Sequence, residues 1–286
     1  MNILRFIFNE IFYNGHFQTW GSLAIMISVG QLLDIKLTWD ILAIVYLSFY
    51  LLYLHDRYRS IEIDSLTNQK RSEHIKSIYS YIPTIIIVGM VFLCGLLFYY
   101  GNIFSLIFIV CVTILGFLYP IYFKPLTKRI TAFKNFYVSS VFSALVVFPN
   151  IYYEISLAKN KLLILIILFA FTFLRGVMMQ FFLDLKDVEG DKKEGLRTLA
   201  ILLGKEKVYR IINIMNLITS LSLPILYFIS PSLMLPPAVL FLVLLVAWNF
   251  YFFNLGIKGR YSGFILGSGE FIYWPLFVFM GRMILG

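Results

Sequence analysis

The 286 residues are 60% hydrophobic and only 14% charged, against about 25% charged in an ordinary globular domain. That composition excludes a soluble enzyme and describes an integral membrane protein. The net charge of +9 comes from 24 Lys and Arg against 15 Asp and Glu; the basic residues sit in short stretches between apolar runs, which argues for loops at a bilayer face and against nucleic-acid binding.

The first 17 residues mix Arg5, Glu10, Asn14 and His16 with aromatics. They lack an apolar h-region and a small-residue cleavage site, so no signal peptide is expected, and the pattern predicts an amphipathic helix lying in the interface. Apolar runs then predict nine membrane-spanning helices, at 18–35, 38–55, 80–100, 103–123, 133–152, 161–183, 208–229, 235–255 and 262–284. Gly101-Asn102 marks a tight turn between the third and fourth. The connections 56–79, 124–134 and 184–207 are long and charged. The expected fold is all-α, about nine helices around a central cavity, in one membrane domain covering 1–286. Cys94 and Cys111 fall inside apolar runs, have no metal-ligand spacing and are expected as buried thiols.

Charge predicts orientation. Eighteen of the 24 Lys and Arg lie in the even-numbered connections, whereas the odd-numbered ones offer Lys36, Lys159 and Lys161. By the positive-inside rule the even connections and the N-terminus are expected at the cytoplasmic face of a cell membrane.

Carboxylates are concentrated further: ten of the 15 Asp and Glu lie in 56–79 and 184–207, on that same face. Asp184, Asp187 and Asp191 sit at i, i+3 and i+7 after an apolar span. On a continuous helix they fall within roughly 60° of one another, and three like charges on one face call for a cation. A hard divalent ion such as Mg²⁺ takes oxygen ligands and completes its shell with substrate phosphates. Asp56, Ser60 and Asp64 drift about 80° around a helix and converge similarly. Two such clusters facing one cavity would hold ions that bridge a diphosphate, with Lys128 and Lys134 as added counter-charge. A solvated acidic loop is the plain alternative, and the second cluster in a corresponding place argues against it.

Asp184-x-x-Asp187-x-x-x-Asp191, with Gly190 and the run Arg197-Thr198-Leu199 to Leu203-Gly204, resembles the second aspartate-rich motif of the UbiA superfamily of intramembrane prenyltransferases. The superfamily's first motif, Asn-x-x-x-Asp-x-x-x-Asp, falls on Asp56, Ser60 and Asp64, where the middle acid is absent. Tyr122-Phe-Lys-Pro125-Leu-Thr-Lys128, followed by Lys134-Asn135, is similar to its Tyr/Pro/Lys segment.

The resemblance implies a Mg²⁺-dependent transferase that ionises a polyprenyl diphosphate and passes the prenyl group to a lipophilic acceptor. It implies Asp56, Asp64, Asp184, Asp187 and Asp191 as metal ligands and Asp64, Asp184, Asp187 and Asp191 as catalytic. Tyr122, Lys128 and Lys134 would bind the diphosphate. Tyr53, Tyr58, Tyr119 and Tyr122 are the aromatics expected near the cavity mouth, where ring faces stabilise a carbocation. A membrane terpene cyclase would share this chemistry. A cation transporter or channel would instead distribute carboxylates through the bilayer. Arg175 and Glu270 are ionisable groups within predicted spans, and such groups are candidates for function or for structural pairing.

Overall fold

In the computed structural model, which describes residues 3–156 and 159–285, every element is helical. Met1, Asn2, the stretch 157–158 and Gly286 lie outside the described residues. Helix α1 (Ile3–Tyr13) precedes α2 (His16–Leu33) and α3 (Trp39–Arg59). Gly15 joins α1 to α2 with φ of 101°. A Cβ there would lie 2.8 Å from the Tyr53 Cβ, so both backbone angle and space require glycine.

Two short helices, α4 (Ile61–Thr67) and α5 (Gln69–Ile78), form the first charged connection. Next come α6 (Ile82–Tyr100) and α7 (Ile103–Leu118). The expected turn between them is present: Asn102 accepts from the Ser105 amide at 2.7 Å, and Ser105 Oγ takes the Asn102 amide in return. This capping box satisfies two orphan donors at the start of α7. A wide π turn at Tyr119–Phe123 and a 3-10 turn at Lys124–Lys128 follow.

Helices α8 (Phe133–Ala144) and α9 (Phe148–Tyr152) precede the longest element, α10 (Lys159–Lys193). Its 35 residues extend about 52 Å, well beyond the roughly 30 Å apolar core of a bilayer. The surplus turns carry the acidic residues from Asp184 onward. The chain closes with α11 (Leu199–Leu203), α12 (Lys205–Ile229), α13 (Leu244–Ile257), α14 (Tyr261–Ser268) and α15 (Trp274–Leu285).

Each of the nine apolar runs is largely helical, but length and composition alone do not confirm nine spans. Among the described residues five helical stretches are long and apolar enough to cross a membrane by themselves, and α14 with Glu270–Leu285, bent by 62°, makes six. The other segments fall short for physical reasons. Residues 133–152 break at Leu145–Val147, and α8 carries Lys134, Asn135, Ser139 and Ser143 on its buried face. Helix α3 carries Asp40 in its first turn and ends in His55–Arg59. These helices are polar because they line the interior.

The main core is built where α2, α3, α9, α10 and α15 meet, around Ile25, Ile44, Phe148, Leu168 and Val278. A second core packs α10 on α12 and α13 through Phe182, Ile212 and Phe253. Helices α6 and α7 lie outside and turn most of their apolar surface outward. Cys94 and Cys111 ride on that surface; they are free and exposed, not buried.

Arg175 and Glu270 meet each other, both fully buried. Arg175 Nε donates to Glu270 at 2.7 Å, and Asn249 and Trp274 donate to the same carboxylate at 2.6 and 2.9 Å. Thr219 and Ser220 accept from Arg175 Nη1. With every charge answered, the pair joins α10 and α12 to the bend before α15. Neither residue lines the main cavity.

Candidate active site

Both acidic clusters open onto one cavity of about 290 Å³ between α3, α4, α7, α8 and α10. Gly190 brings them together: a Cβ there would come within 3.2 Å of Ile63 Cγ2, so its absence lets α4 close on α10. Asp56, Ser60 and Asp64 line one side, and Asp184, Asp187, Asp191 and Glu194 the other.

On the second side the carboxylates are held by cations from other elements. Lys134 Nζ, in the first turn of α8, lies 2.7 and 2.8 Å from the two Asp191 oxygens and 3.0 Å from Asp184 Oδ1. Its three donors therefore meet three acceptors. Asn135 Nδ2 donates to Asp184 Oδ2 at 2.8 Å, and Lys124 pairs with Glu194 at 2.7 Å. The loop that presents Lys134 is fixed by backbone bonds to the acidic connection: the Arg197 amide donates to the Thr127 carbonyl at 3.0 Å and the Ala132 amide to the Arg197 carbonyl at 2.9 Å. Thr127 Oγ1 accepts from the Lys134 amide at 3.0 Å. The Arg197-Thr198 run thus has a local purpose, which is to dock the lysine loop.

The first side is held from within its own connection. Asp64 pairs with Arg71 of α5 at 2.5 Å. Burial draws the Arg71 guanidinium toward its neutral form, but the facing Asp64 and Asp187 carboxylates outweigh it and hold the pKa above the ordinary arginine value. Asn68 donates to Asp187 across a long 3.5 Å contact and accepts from Lys186. Asp56 makes no hydrogen bond or ion pair with another described side chain. Ser60 lies at the junction of α3 and α4, its amide on the Asp56 carbonyl and its carbonyl taking the Asp64 amide at 2.8 Å.

The rest of the wall is apolar and aromatic, with Phe49, Tyr53, Tyr119, Val138 and Phe142. A smaller cavity of about 60 Å³ shares Gln18, Tyr53, Phe142, Gln180 and Leu183 with the first and runs inward to Gly176 and Phe271.

Two expected diphosphate ligands lie elsewhere. Tyr122 is 63% exposed and Lys128 is exposed, and neither lines the cavity. The π turn changes the register after Tyr119, so Tyr119 and Lys124 point inward and Tyr122 points out. Tyr58 stacks on Tyr79 at 4.5 Å, away from the cavity. In exchange the structure adds Gln18, Arg57, Arg71, Lys124 and Glu194. Arg57 directly follows Asp56, and Arg71 lies seven residues after Asp64; adjacency to the acids was their only signal, since positive-inside loops carry such residues anyway.

Among the described residues no three acidic, histidine or cysteine side chains gather closely enough to cage an ion by themselves. Lys134 occupies the space between Asp184 and Asp191 that a shared ion would need. The cavity does offer an all-oxygen donor set. Asp56 and Asp187 have no ion pair, and such a set suits an ion that takes one or two carboxylates and fills its shell with phosphate oxygens and water.

A profile of the UbiA prenyltransferase family matches residues 15–262. Over 58 residues the chain is 40% identical to a digeranylgeranylglyceryl phosphate synthase of Methanosphaera stadtmanae, which covers 20% of this chain and 21% of that protein. Two solved structures cover nearly the whole length. A UbiA homologue of Aeropyrum pernix K1 superposes with TM-score 0.67 at 13% identity, over 93% of this chain and 97% of that one. A homologue of Archaeoglobus fulgidus, solved with GPP and Mg²⁺, gives 0.64 at 13% identity, over 97% and 99%.

Proposed function

This chain belongs to the UbiA prenyltransferase family, and from that premise we propose that its cavity ionises an isoprenoid diphosphate and transfers the prenyl group to a lipophilic acceptor. One observation supports this reading above the others. A single cavity joins six carboxylates and four cations to an aromatic, apolar wall, which is what a charged leaving group attached to a hydrocarbon chain requires.

In the proposed reaction the bond between C1 and the diphosphate oxygen breaks, and its electron pair leaves with the diphosphate. The allylic cation is then captured by a nucleophilic atom of the acceptor, which gives up a proton. Lys124 and Lys134 offset charge that develops on the leaving group. Tyr53, Phe49 and Phe142 face the cation with rings that attract it and exclude water. Asp56, Asp187 and Asp64 would hold Mg²⁺, the ion present with the Archaeoglobus homologue; Asp184 and Asp191, also expected as ligands, are taken up by Lys134 and would reach an ion only if the lysine moved aside. When bound, the ion supplies Lewis-acid neutralisation of the diphosphate. Tyr122 and Lys128, expected from the resemblance to bind diphosphate, have no place in this scheme. The smaller inner cavity accepts part of the apolar chain.

We further read residues 1–286 as one multi-span membrane domain, with α1 in the interface and the acidic connections in the cytoplasm, from the asymmetry of basic residues. Cysteine introduced at Asn68 is expected to resist an impermeant thiol reagent in intact cells and to react after permeabilisation; labelling of intact cells would invert the topology. The function is tested with purified protein, Mg²⁺ and geranylgeranyl diphosphate. Diphosphate release that requires a lipid acceptor supports transfer. Acceptor-independent release with a cyclised product would make the protein a cyclase, and no release would remove the reading.

A further inference from the structure

The inner cavity of about 60 Å³ continues the main one along α10. Asp184 lines the main cavity and Gly176 the inner one, about 12 Å apart along the helix axis. Tyr53, Phe142 and Leu183 line both and lead inward from the acids. The inner cavity closes on Phe271. That ring is buried, its centroid 6.0 Å from Phe142 and 4.8 Å from Trp274, which lines neither cavity. Trp274 in turn meets Phe171 at 5.1 Å, and all four rings belong to the main core. Behind Phe271 the interior is packed, and a packed core resists an intruding group.

Phe271 is not carried by a regular helix. It sits in the 3-10 turn Glu270–Tyr273, where the chain bends by 62° between α14 and α15. Irregular backbone within a membrane domain persists where protein buries it or where it lines a cavity, and this turn does both. Its anchor is the carboxylate of Glu270, the residue before Phe271, which accepts from Arg175 Nε, Asn249 and Trp274. Gly176 and Gly269, next to the two charged residues, line the inner cavity, and the Phe17 ring lies directly against Gly269. The buried charged network thus fixes one aromatic ring across the end of the passage.

We propose that Phe271, held by the Arg175–Glu270 network, is the stop that limits the length of prenyl chain the donor can carry. This rests on the prenyl-transfer reading, in which the inner cavity takes part of the donor's chain, and adds a specificity-determining residue to it. With the diphosphate held at the acids, each added isoprene unit brings the chain end closer to the ring. The first unit to reach it must displace core side chains or fold back. Gly21 lines the same end of the cavity. A Cβ there would lie 3.8 Å from the Phe271 Cβ, an ordinary contact, so the missing side chain leaves room for the chain end.

The test uses the full chain in detergent and a series of prenyl donors of increasing length. Binding is measured with Mg²⁺ and prenyl thiolodiphosphates, in which sulfur replaces the bridging oxygen and slows ionisation. Transfer is measured with the diphosphates and a lipid acceptor. Wild type is expected to lose at least about tenfold in affinity and in kcat/KM when one unit beyond the limit is added. Phe271→Ala should move that limit at least one unit longer. Gly21→Ala should weaken the longest accepted donor about tenfold and leave shorter ones within about twofold. If Phe271→Ala fails to fold, Gly21→Ala carries the measurement, because its methyl meets only ordinary contacts. A length profile without a break would overturn the proposal. So would variants that change every donor by the same factor, since a purely structural role does not select by length. A limit that shifts in binding, with no transfer to any acceptor, would leave the stop standing and overturn prenyl transfer.

Discussion

The two acidic clusters have similar sequences and different support. Asp184, Asp187 and Asp191 sit on one uninterrupted helix, and the cations that meet Asp184, Asp191 and Glu194 come from a separate loop and from α8. Asp56 and Asp64 straddle the α3–α4 junction at Ser60, and Asp64 is met by Arg71 from its own connection. The second cluster is therefore set by the bundle. The position of the first depends on how α4 and α5 sit against it. Preorganised charge is what electrostatic catalysis uses, so the second cluster is expected to dominate the chemistry and the first to tune it.

The largest effect is expected at Asp187. It faces the cavity without an ion pair, so Asp187→Asn should keep the fold and remove at least about 99% of turnover, a barrier increase of about 2.7 kcal/mol or more. Diphosphate release in detergent measures it, and turnover within about threefold of wild type would show that Asp187 is no catalytic ligand.

Lys134→Met probes the support itself. It leaves Asp184 and Asp191, 3% and 4% exposed, facing each other without their lysine. Removing one partner of a buried charged group costs about 3–5 kcal/mol, or a Tm lower by about 10 °C in a chain of this size. Mg²⁺ should recover more Tm in Lys134→Met than in wild type, because the ion can enter the space vacated by the lysine. Equal Mg²⁺ effects on both proteins would argue against metal at this pair.

The same contrasts separate what the sequence carries from what only the fold sets. The acids at 184, 187 and 191 declared themselves because helical periodicity puts them on one face, and a face of like charges needs an explanation. Lys134 was legible through its proximity to Asn135 in the Tyr/Pro/Lys segment. Tyr122 and Lys128 misled because the chain leaves α-helical register in the π turn after Leu118, and nothing in an apolar-aromatic run marks such a turn. Arg57 and Arg71 were hidden among loop cations, since sequence cannot separate a buried guanidinium from a topogenic one. The number of spans is harder to read for a related reason: helices that line a polar cavity look less apolar than helices facing lipid, as α3 and α8 do.

Ser60 offers a subtler change. Ser60→Asp places a carboxylate between Asp56 and Asp64 on the cavity side. If the first cluster only tunes metal affinity, the Mg²⁺ concentration for half-maximal turnover should fall severalfold with the product unchanged. Lost turnover at every Mg²⁺ concentration, with an unchanged midpoint, would mean that the serine itself is required and that the first cluster does more than tune.

The smallest expected effect tests whether the first cluster depends on a remote tether. His74 of α5, buried, meets Glu10 of α1 at 3.1 Å, and Asn14 donates to the same carboxylate at 2.7 Å. The His74 bond holds the Glu10 pKa below its ordinary value of 4.5, against the opposing effect of burial. A carboxyl with a lowered folded pKa contributes stability above the unfolded value, and that contribution is lost as pH falls through the folded one. Glu10→Gln should therefore lower Tm slightly at pH 6, and the gap from wild type should close as pH drops below about 4.5. Because α5 also carries Arg71, the same variant should raise the Mg²⁺ midpoint modestly, in the direction opposite to Ser60→Asp, and leave maximal turnover alone. A Tm gap that stays constant from pH 6 to pH 3.5 would mean that the carboxylate charge plays no part in the tether. An unchanged Mg²⁺ midpoint would mean that α4 and α5 hold their place without α1, and that the first cluster is as firmly built as the second.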